Sequence, residues 1–584
     1  MTRVSLYDTT LRDGAQQEGI SLSVTDKLAA LQVLDDMGVD VIEGGWPGAI
    51  PKDTEFFRRA RDLELAHARL AAFGSTTKPG ADPAHDPQVL ALRDSGAPVI
   101  TLVAKADPRH VVSALHTTLE ENLRMVADTV TFLARDAEVM VDLEHFFDGL
   151  AAEEGAGGPS VTGRVHGLGR TGPTDGPVGT GPAGVPVGTG SVDATVPAPE
   201  YALAVLLEAV RAGASTVIPC DTNGGNLPDT IAQVTARVRA LLDAEGFGHV
   251  VLGIHCHNDT GCAVANTLAA VGAGARQVQG TVNGYGERTG NANLLTCLAN
   301  LQVKLGYEVV PESSIGRLST VSSLFSELVN IAPFTRDPYV GQSAFAHKAG
   351  LHASAIRVDP DLYQHIDPAL VGNGMRMLVS EMAGRASIEL KARELGVDLS
   401  GRPGVAQELA RVVKQREAEG YTYDAADASF ELLLRDELGT LPRFVRVESW
   451  KVSSQEIAEV EGRPFTQTEA TVKVHTDGRH IRTAEGNGPV NALDRALRAV
   501  LIRDYPVVGD FELVDFRLRI LDEQHAGTDA TIRVLIRMSD GKRTWSTVGV
   551  GTDVIEASWE ALFDGYWWGL LASDVVPLLV VEQA

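Results

Sequence analysis

Two histidines two positions apart are the strongest sign of a metal-binding site in this chain. The stretch HCHND places His255 and His257 at positions i and i+2 of a predicted strand. Because side chains alternate between the faces of a strand, the two imidazoles lie on one face and Cys256 lies on the other. A pair of this kind is more often two hydrogen-bonded structural histidines, but a carboxylate from another strand, Asp13, would complete a site for a divalent ion.

Further polar side chains follow the predicted strands. Asn291 offers an amide oxygen to the ion, and Arg12, beside Asp13, is suited to stabilise an anionic substrate or a developing enolate. A salt bridge from Arg12 to Glu43 or Glu144 is an almost equally good interpretation of the spacing. Glu144 is placed for proton transfer beside the ion, although an acidic residue at the end of a strand is as often a hydrogen-bond acceptor.

The elements that position these residues alternate between short β-branched runs and longer amphipathic stretches. The apolar runs begin near Val4, Val41, Leu70, Val99, Val139, Thr216, Val250 and Gln277. Eight sequential βα units predict an α/β fold, a (β/α)8 TIM barrel formed by residues 1–305, in which reactive groups gather at the carboxyl ends of the strands. In the first of these βα units, we predict that the helix begins after a cap at Thr25 and ends at Gly38.

Three further segments depart from this alternation. Residues 151–198 are rich in Gly and Pro and carry no aromatic side chain, which predicts a disordered insertion on a barrel loop. Residues 306–425 predict a helical linker region. Residues 426–584 alternate strands with two helices that share an Ala and Ala-Leu pattern, which predicts a separate C-terminal α+β domain with an internal duplication. The Gly-containing turn before each helix offers backbone N–H groups to the carboxylate of a small effector.

The composition excludes several classes of function. A net charge of −26 argues against a nucleic-acid or anionic-membrane partner, because both favour a basic surface. No apolar run reaches the ~20 residues that a membrane helix needs. Four cysteines in 584 residues do not make a disulfide framework, and the sequence shows no charged-then-apolar leader, so we expect the reducing cytoplasm.

Four motifs in order resemble the α-isopropylmalate, homocitrate and citramalate synthase family, the acyl-CoA-dependent branch of the metal-dependent lyase barrels. They read YDTTLRDGAQQEG, IHCHNDTGCAVANTLAAVGAGA, GTVNGYGERTGNANL and SAFAHKAGLHASAI. The C-terminal stretch EGNGPVNALDRALR is similar to the regulatory domain of the leucine- and isoleucine-pathway members. The stretches EHFFDG, CDTNGG and FAHKAGLH are most similar to the citramalate-forming type.

The resemblance implies a Claisen-type condensation of acetyl-CoA with a 2-oxo acid, pyruvate in this branch, and release of CoA. By position, the residues that match the family's metal ligands are Asp13, His255, His257 and Asn291. Arg12 matches the residue that polarises the keto oxygen, Thr222 the one that holds the substrate carboxylate, and Glu144 the active-site acid. His352 matches the proposed base for the acetyl methyl group and would reach the barrel from the linker region, with Tyr363 as the nearest phenol.

The resemblance also implies the cofactor and the partners. The ion would be Mg²⁺ or Mn²⁺, with Zn²⁺ as the third choice, and acetyl-CoA would be the co-substrate. The C-terminal domain implies a homodimer and an amino-acid effector, isoleucine. Three alternatives stay open: the same condensation on a larger 2-oxo acid such as 2-oxoisovalerate or 2-oxoglutarate, a lyase or aldolase on the same barrel, and a catalytically silent amino-acid sensor.

Overall fold

The computed structural model describes most of the chain and divides it into two compact units. The described residues are 2–154, 201–399, 401–402, 404–460, 463–521 and 530–578. One unit consists of Met1–Ala344 with Pro368–Asn373, and the other of Phe345–Asp367 with Gly374–Ala584. The three-part division that the sequence predicts, with boundaries after residues 305 and 425, stays a prediction beside these two units.

Eight parallel strands in the first unit close into a barrel, in which each strand pairs with the next and the last pairs with the first. The strands are β1 (Ser5–Asp8), β2 (Val41–Gly45), β3 (Arg69–Ser75), β4 (Val99–Lys105), β5 (Glu138–Glu144), β6 (Thr216–Asp221), β7 (Val251–Cys256) and β8 (Gln277–Gly280). Each of the eight predicted apolar runs overlaps one of these strands. The predicted (β/α)8 barrel is therefore confirmed.

Helices connect the strands and extend the first unit beyond the barrel. They are α1 (Val24–Met37), α2 (Pro51–Ala60), α3 (Pro87–Asp94), α4 (Pro108–Ser113), α5 (Leu119–Leu133), α6 (Phe146–Glu154), α7 (Tyr201–Arg211), α8 (Pro228–Ala244), α9 (Ala263–Gly272), α10 (Leu294–Ala299), α11 (Glu312–Ile315) and α12 (Leu318–Leu328). The predicted cap of α1 at Thr25 is wrong. Ser23 caps this helix, because its hydroxyl accepts a hydrogen bond from the N–H of Asp26 while the carboxylate of Asp26 accepts one from the N–H of Ser23. The predicted stop is confirmed, since Gly38 adopts a left-handed φ of 83°.

An apolar cluster packs inside the barrel and holds its strands at fixed spacing. Strands β1 to β6 contribute its buried members, which are Tyr7, Val41, Ala71, Val99, Met140, Ile218 and Cys220. Polar and charged side chains follow at the carboxyl ends of the strands, where Asp13 comes after β1 and Glu144 ends β5. The barrel therefore provides a rigid support on which loops of different strands can place reactive groups.

The segment between β5 and β6 departs in part from the prediction. Helix α6 runs to Glu154, so the predicted start of the insertion at residue 151 is wrong. Residues 155–198, the remainder of the predicted insertion, lie outside the described residues. The description resumes at Tyr201, where α7 begins.

The second unit begins with short elements that are mostly helical. These are β9 (Ala346–His347), α13 (Gly350–Ile356), β10 (Arg376–Met377), α14 (Arg385–Glu394), α15 (Val405–Ala418) and α16 (Asp427–Glu437). The helical character predicted for the chain after the barrel is thereby confirmed.

Two three-stranded antiparallel sheets follow, each with one helix. The elements are β11 (Arg446–Val460), β12 (Arg463–His475), β13 (Arg479–Gly486), α17 (Pro489–Asp504), β14 (Glu512–Ile520), β15 (Ile532–Ser539), β16 (Thr544–Gly551) and α18 (Val554–Ala572). The shared order of three strands and a helix is what the predicted duplication requires. Ala492 and Leu497 of α17 are buried in one core with Ala561 and Leu562 of α18, so the shared pattern marks the packed faces. None of the helices in the described ranges has the length and apolar content needed to cross a bilayer.

Candidate active site

Asp13, His255 and His257 meet at the carboxyl ends of β1 and β7. Oδ2 of Asp13 lies 3.5 Å from Nε2 of His255 and 4.0 Å from Nε2 of His257, and the two Nε2 atoms are 3.2 Å apart. All three side chains are buried, and one potential ligand atom from each lies within 4.8 Å of the others. The structure thus brings together the three residues from which the sequence predicts a metal site.

The backbone of Asn291 pairs with that of His257, which places Asn291 next to this cluster. It forms an isolated antiparallel bridge with His257, and its Nδ2 donates to the carbonyl oxygen of Tyr285 at 3.0 Å. Oδ1 of Asn291 and Nδ1 of His257 are buried and have no hydrogen-bond partner in the part of the chain that the structure describes. A buried amide oxygen without a donor fits a fourth ligand to a cation.

The loop before Asn291 requires glycine at two close approaches. Gly290 has a φ of 88°, and a Cβ atom there would lie 1.9 Å from the carbonyl oxygen of Gly284. A Cβ atom on Gly286 would lie 2.3 Å from Nδ2 of Asn291. The motif GYGERTGN is therefore a loop that folds back on itself and presents the Asn291 side chain.

Two successive hydrogen bonds fix the ring of His255. Nδ1 of His255 lies 2.9 Å from Oε1 of Gln279, and Nε2 of Gln279 donates to Oδ1 of Asp142 at 2.9 Å. Because an amide oxygen only accepts, Nδ1 carries the ring proton, and Nε2 is left unprotonated on the side of Asp13. His255 and Gln279 are paired in the register of β7 and β8, and both are buried together with Asp142.

Neither Gln279 nor Asp142 is among the predicted site residues. Asp142 is the one charged residue of the apolar stretch VMVDL, and Gln279 is the second of two glutamines in the short strand QVQG. A buried amide or carboxyl group in such a run needs a hydrogen-bond partner, and this requirement is the signal that points to a support for a ligand.

Burial and neighbouring charges favour the protonation states that a metal ligand needs. Burial, followed by His255, lowers the pKa of His257 to about 4. Burial raises the pKa of Asp13, but Arg12 and the two imidazoles together lower it more. The pKa of Asp13 therefore lies below that of an ordinary aspartate. At neutral pH the site therefore offers a carboxylate and a neutral imidazole, the forms that bind a divalent ion.

Arg12 lies beside this cluster and is held by a second carboxylate. Its Nε donates to Oε1 of Glu43 at 2.5 Å, and its Nη1 lies 3.5 Å from Oδ2 of Asp13. The guanidinium also lies over the ring of Phe73, 3.8 Å from the centroid. The hydroxyl of Tyr7 donates a hydrogen bond to Oε2 of Glu43 at 2.7 Å. The salt bridge to Glu43 that the spacing allowed is therefore formed, and the same guanidinium also contacts Asp13.

Glu144 and Thr222 lie at the carboxyl ends of β5 and β6. Glu144 forms an ion pair with Lys105 at the end of β4. The N–H of His145 donates to Oγ1 of Thr222 at 2.9 Å. These contacts tie neighbouring strand ends together, and they do not themselves join Glu144 or Thr222 to Asp13.

His352 lies in the second unit, on helix α13. Its ring stacks on Tyr363, with the centroids 4.1 Å apart and the planes 28° apart. The ring of His347 lies edge-on to it, with the centroids 6.2 Å apart. Tyr363, the nearest phenol in the sequence, is thus a direct neighbour of His352, whereas the approach of His352 to the barrel stays a prediction.

Three family models match successive parts of the chain. The HMGL-like model matches residues 3–324, and the homocitrate synthase post-HMGL domain-like model matches residues 339–419. The LeuA allosteric (dimerisation) domain model matches residues 424–567. The first of these models covers more than half of the chain.

Relatives of known name match almost the whole chain. An (R)-citramalate synthase of Streptomyces coelicolor is 54% identical over 98% of this chain and 97% of its own length. The (R)-citramalate synthase of Aquifex aeolicus is 43% identical over 98% of this chain and 98% of its own length. The (R)-citramalate synthase of a Synechocystis species is also 43% identical, over 97% of this chain and 96% of its own length. The chain therefore belongs to the HMGL-like family, and within it to the (R)-citramalate synthases of the α-isopropylmalate and homocitrate synthase group.

Proposed function

We propose that this chain joins acetyl-CoA to pyruvate at the carboxyl end of its barrel and releases (R)-citramalate and CoA. The observation that carries the proposal for the site is the meeting of Asp13, His255 and His257 beside Arg12. In the reaction the methyl carbon of the acetyl group loses a proton and attacks the keto carbon of pyruvate. The keto oxygen takes up a proton, and water then cleaves the thioester to give the free acid and CoA.

The residues present fit a divalent metal ion held by Asp13, His255, His257 and Asn291. They offer two imidazole nitrogens, one carboxylate oxygen and one amide oxygen, and the amide oxygen of Asn291 has no other partner within the described ranges. The two imidazoles suit Zn²⁺, and the carboxylate and amide oxygens suit Mg²⁺ and Mn²⁺. The family resemblance favours Mg²⁺ or Mn²⁺ among the three. The bound ion makes the keto carbon of pyruvate more electrophilic.

Arg12 and Thr222 hold the two ends of the keto acid in this proposal. Burial lowers the pKa of Arg12, but Glu43 and Asp13 raise it more, so the guanidinium stays charged. It donates to the keto oxygen and stabilises the negative charge that develops there. Oγ1 of Thr222 accepts from the N–H of His145, which leaves the hydroxyl proton free to bind the carboxylate of pyruvate.

His352 removes the proton from the acetyl methyl group. The α-proton of a thioester is weakly acidic, so the reaction needs a positioned base, which contributes about 10²–10⁴-fold to the rate. The stacked ring of Tyr363 restricts the imidazole of His352 to one orientation. Glu144 is the active-site acidic residue, and its ion pair with Lys105 holds the side chain in place.

We extend the proposal to assembly and control, with a homodimer formed through the C-terminal domain and inhibition by isoleucine as the end product. The match of residues 424–567 to an allosteric dimerisation domain supports it. Gly488, which has no side chain to cap a helix, precedes α17 and leaves its first N–H groups for a carboxylate. At α18 the side chain of Asp553 already accepts from the N–H groups of Ile555 and Glu556, so this second predicted effector turn is the poorer candidate.

The test is the release of free CoA from acetyl-CoA in the presence of pyruvate, 2-oxoisovalerate or 2-oxoglutarate. We expect the highest kcat/KM with pyruvate and a product that chiral chromatography identifies as (R)-citramalate. A higher kcat/KM with a larger 2-oxo acid would contradict the proposed substrate. No CoA release with any of them, at saturating Mn²⁺, would favour the silent sensor.

A further inference from the structure

A residue with a left-handed backbone directly follows Glu144 at the end of β5. His145 has a φ of 58°, a conformation that glycine adopts readily and other residues adopt at a steric cost. It is also buried, with 8% of its surface exposed. A strained backbone persists only where the surrounding structure enforces it, and such residues concentrate at functional sites. His145 is therefore a candidate for a role in the site.

The peptide between Glu144 and His145 is the last link of β5 to both of its neighbouring strands. Its carbonyl oxygen accepts a hydrogen bond at 3.0 Å from the N–H of Ala106, which directly follows β4. Its N–H donates at 2.9 Å to Oγ1 of Thr222, which directly follows β6. Helix α6 begins at the next residue, Phe146. The left-handed conformation thus lets the chain leave the barrel within one residue while this peptide keeps both hydrogen bonds.

The imidazole of His145 is held by two further contacts. Its Nδ1 lies 3.0 Å from Oδ2 of Asp148, and the same oxygen accepts from Nδ2 of Asn223 at 2.9 Å. The ring also stacks on that of His110, with the centroids 3.9 Å apart and the planes 27° apart. Asn223 directly follows Thr222, so these contacts join the start of α6 to the loop that carries Thr222. They offset the cost of the left-handed backbone.

We infer that His145 is a positioning residue that determines the affinity for pyruvate by orienting Thr222, an inference that rests on the proposed function. The left-handed backbone fixes the N–H that bonds to Oγ1 of Thr222. Because one lone pair of this oxygen is then occupied, the directions open to its O–H are restricted. The hydroxyl is thereby oriented before the carboxylate of the keto acid arrives, which lowers the cost of binding.

Substitutions at position 145 separate the backbone conformation from the imidazole. We expect His145→Val to raise the KM for pyruvate about tenfold or more, the loss of one hydrogen bond to a charged group, because a β-branched residue resists the left-handed conformation. His145→Asn should raise it only about threefold, since asparagine visits that conformation readily although the ring contacts are lost. The KM for acetyl-CoA and the affinity for Mn²⁺ should not follow this order. His145→Ala replaces His145→Val if the latter does not fold.

His116→Val is the matched control. His116 has a φ of 54° and lies exposed in the connection between α4 and α5. The same substitution there carries a similar backbone cost, so it should lower the thermal midpoint and leave the KM for pyruvate unchanged. A rise in KM with His116→Val, or no rise with His145→Val, would overturn the inference.

A double-mutant cycle with Thr222→Val tests whether the two residues act as one unit. Thr222→Val removes the hydroxyl and should itself raise the KM for pyruvate, and adding His145→Val should then raise it by less than about twofold. Increases that multiply, or equal increases for Val and Asn at position 145, would overturn the inference. An unchanged KM in Thr222→Val would overturn it through the role of Thr222. Failure of the proposed function is distinct, because the unsubstituted chain would then release no CoA with pyruvate.

Discussion

Nδ1 of His255 donates a hydrogen bond to Oε1 of Gln279 at 2.9 Å, and this contact determines which ring nitrogen is free on the side of Asp13. Replacement of Gln279 by leucine removes the acceptor and allows the proton to move to Nε2, where it occupies the lone pair needed by a metal. We expect Gln279→Leu to weaken Mn²⁺ binding about 10- to 100-fold, the usual loss when such a support is removed. Isothermal titration calorimetry on the metal-free protein measures it.

Gln277→Leu is the matched control for this variant. Gln277 is also a buried glutamine of β8, but its Nε2 contacts Sδ of Met140 at 3.5 Å. This control should bind Mn²⁺ with the affinity of the unsubstituted protein. If Gln279→Leu does so as well, the contact with His255 has no part in holding the ligand.

The barrel and the metal cluster are predictable from sequence for separate reasons. The barrel follows from strand periodicity, because eight apolar runs of strand length alternate with amphipathic stretches. The cluster follows from the i, i+2 spacing of His255 and His257, which puts both on one face of a strand. Asp13 joins them because barrel closure pairs β1 with β8, the neighbour of β7.

Other contacts in the site join residues of different elements, and the spacing of residues along the sequence does not predict them. The partner of Arg12 is Glu43 because β2 brings that carboxylate within 2.5 Å, a distance that the sequence leaves open. Spacing does not distinguish Gln279 from Gln277 in the strand QVQG, and only the register of β7 and β8 pairs Gln279 with His255. The contact of Tyr363 with His352 depends on how the chain after α13 folds back onto it.

The lowered pKa of His257 predicts that the stability of the metal-free protein depends on pH. Histidine titrates near pH 6.5 in an unfolded chain, whereas burial and then His255 lower the pKa to about 4 in the folded protein. Between these values the unfolded state binds the proton first, so acidification favours unfolding. A shift of this size corresponds to a contribution on the order of 3 kcal/mol, which is complete above the unfolded pKa and lost as the pH falls to about 4.

Urea denaturation in the presence of EDTA measures this contribution when the protein is compared with His257→Gln. The free energy of unfolding of the unsubstituted protein, minus that of the variant, should fall between pH 7 and pH 4. Subtraction removes the effect of other titrating groups that the two proteins share. A difference that is the same at both pH values would mean that His257 titrates normally.

The stacking of Tyr363 on His352 predicts different effects for two substitutions. Tyr363→Phe keeps an aromatic ring against the imidazole, and we expect kcat to stay close to that of the unsubstituted chain. Tyr363→Ala removes the ring, and kcat should fall about tenfold, as for the loss of one aromatic pair. His352→Gln removes the base and should lower kcat about 10²–10⁴-fold. If Phe and Ala at position 363 cause equal losses, the hydroxyl and not the ring supports the base.

The effector proposal predicts that isoleucine inhibits CoA release by the full chain and that leucine inhibits it less. Gly488→Asp supplies a side-chain cap and a negative charge at the start of α17, and we expect it to raise the half-inhibitory isoleucine concentration. Asp553→Asn at α18 keeps a side-chain oxygen as cap and is the control that leaves inhibition unchanged. If isoleucine neither inhibits nor binds the full chain, the C-terminal domain has a purely dimerising role.

The most direct measurement is the dependence of CoA release on the ion that Asp13, His255 and His257 are proposed to hold. Protein treated with EDTA is titrated with Mn²⁺, and metal binding is recorded beside CoA release from acetyl-CoA and pyruvate. We predict that the stripped protein is inactive, that Mn²⁺ or Mg²⁺ restores release as a single site fills, and that Asp13→Ala and His257→Ala neither bind the ion nor release CoA. Undiminished release after metal removal, or full activity in either variant, would contradict the metal site on which the proposed condensation depends.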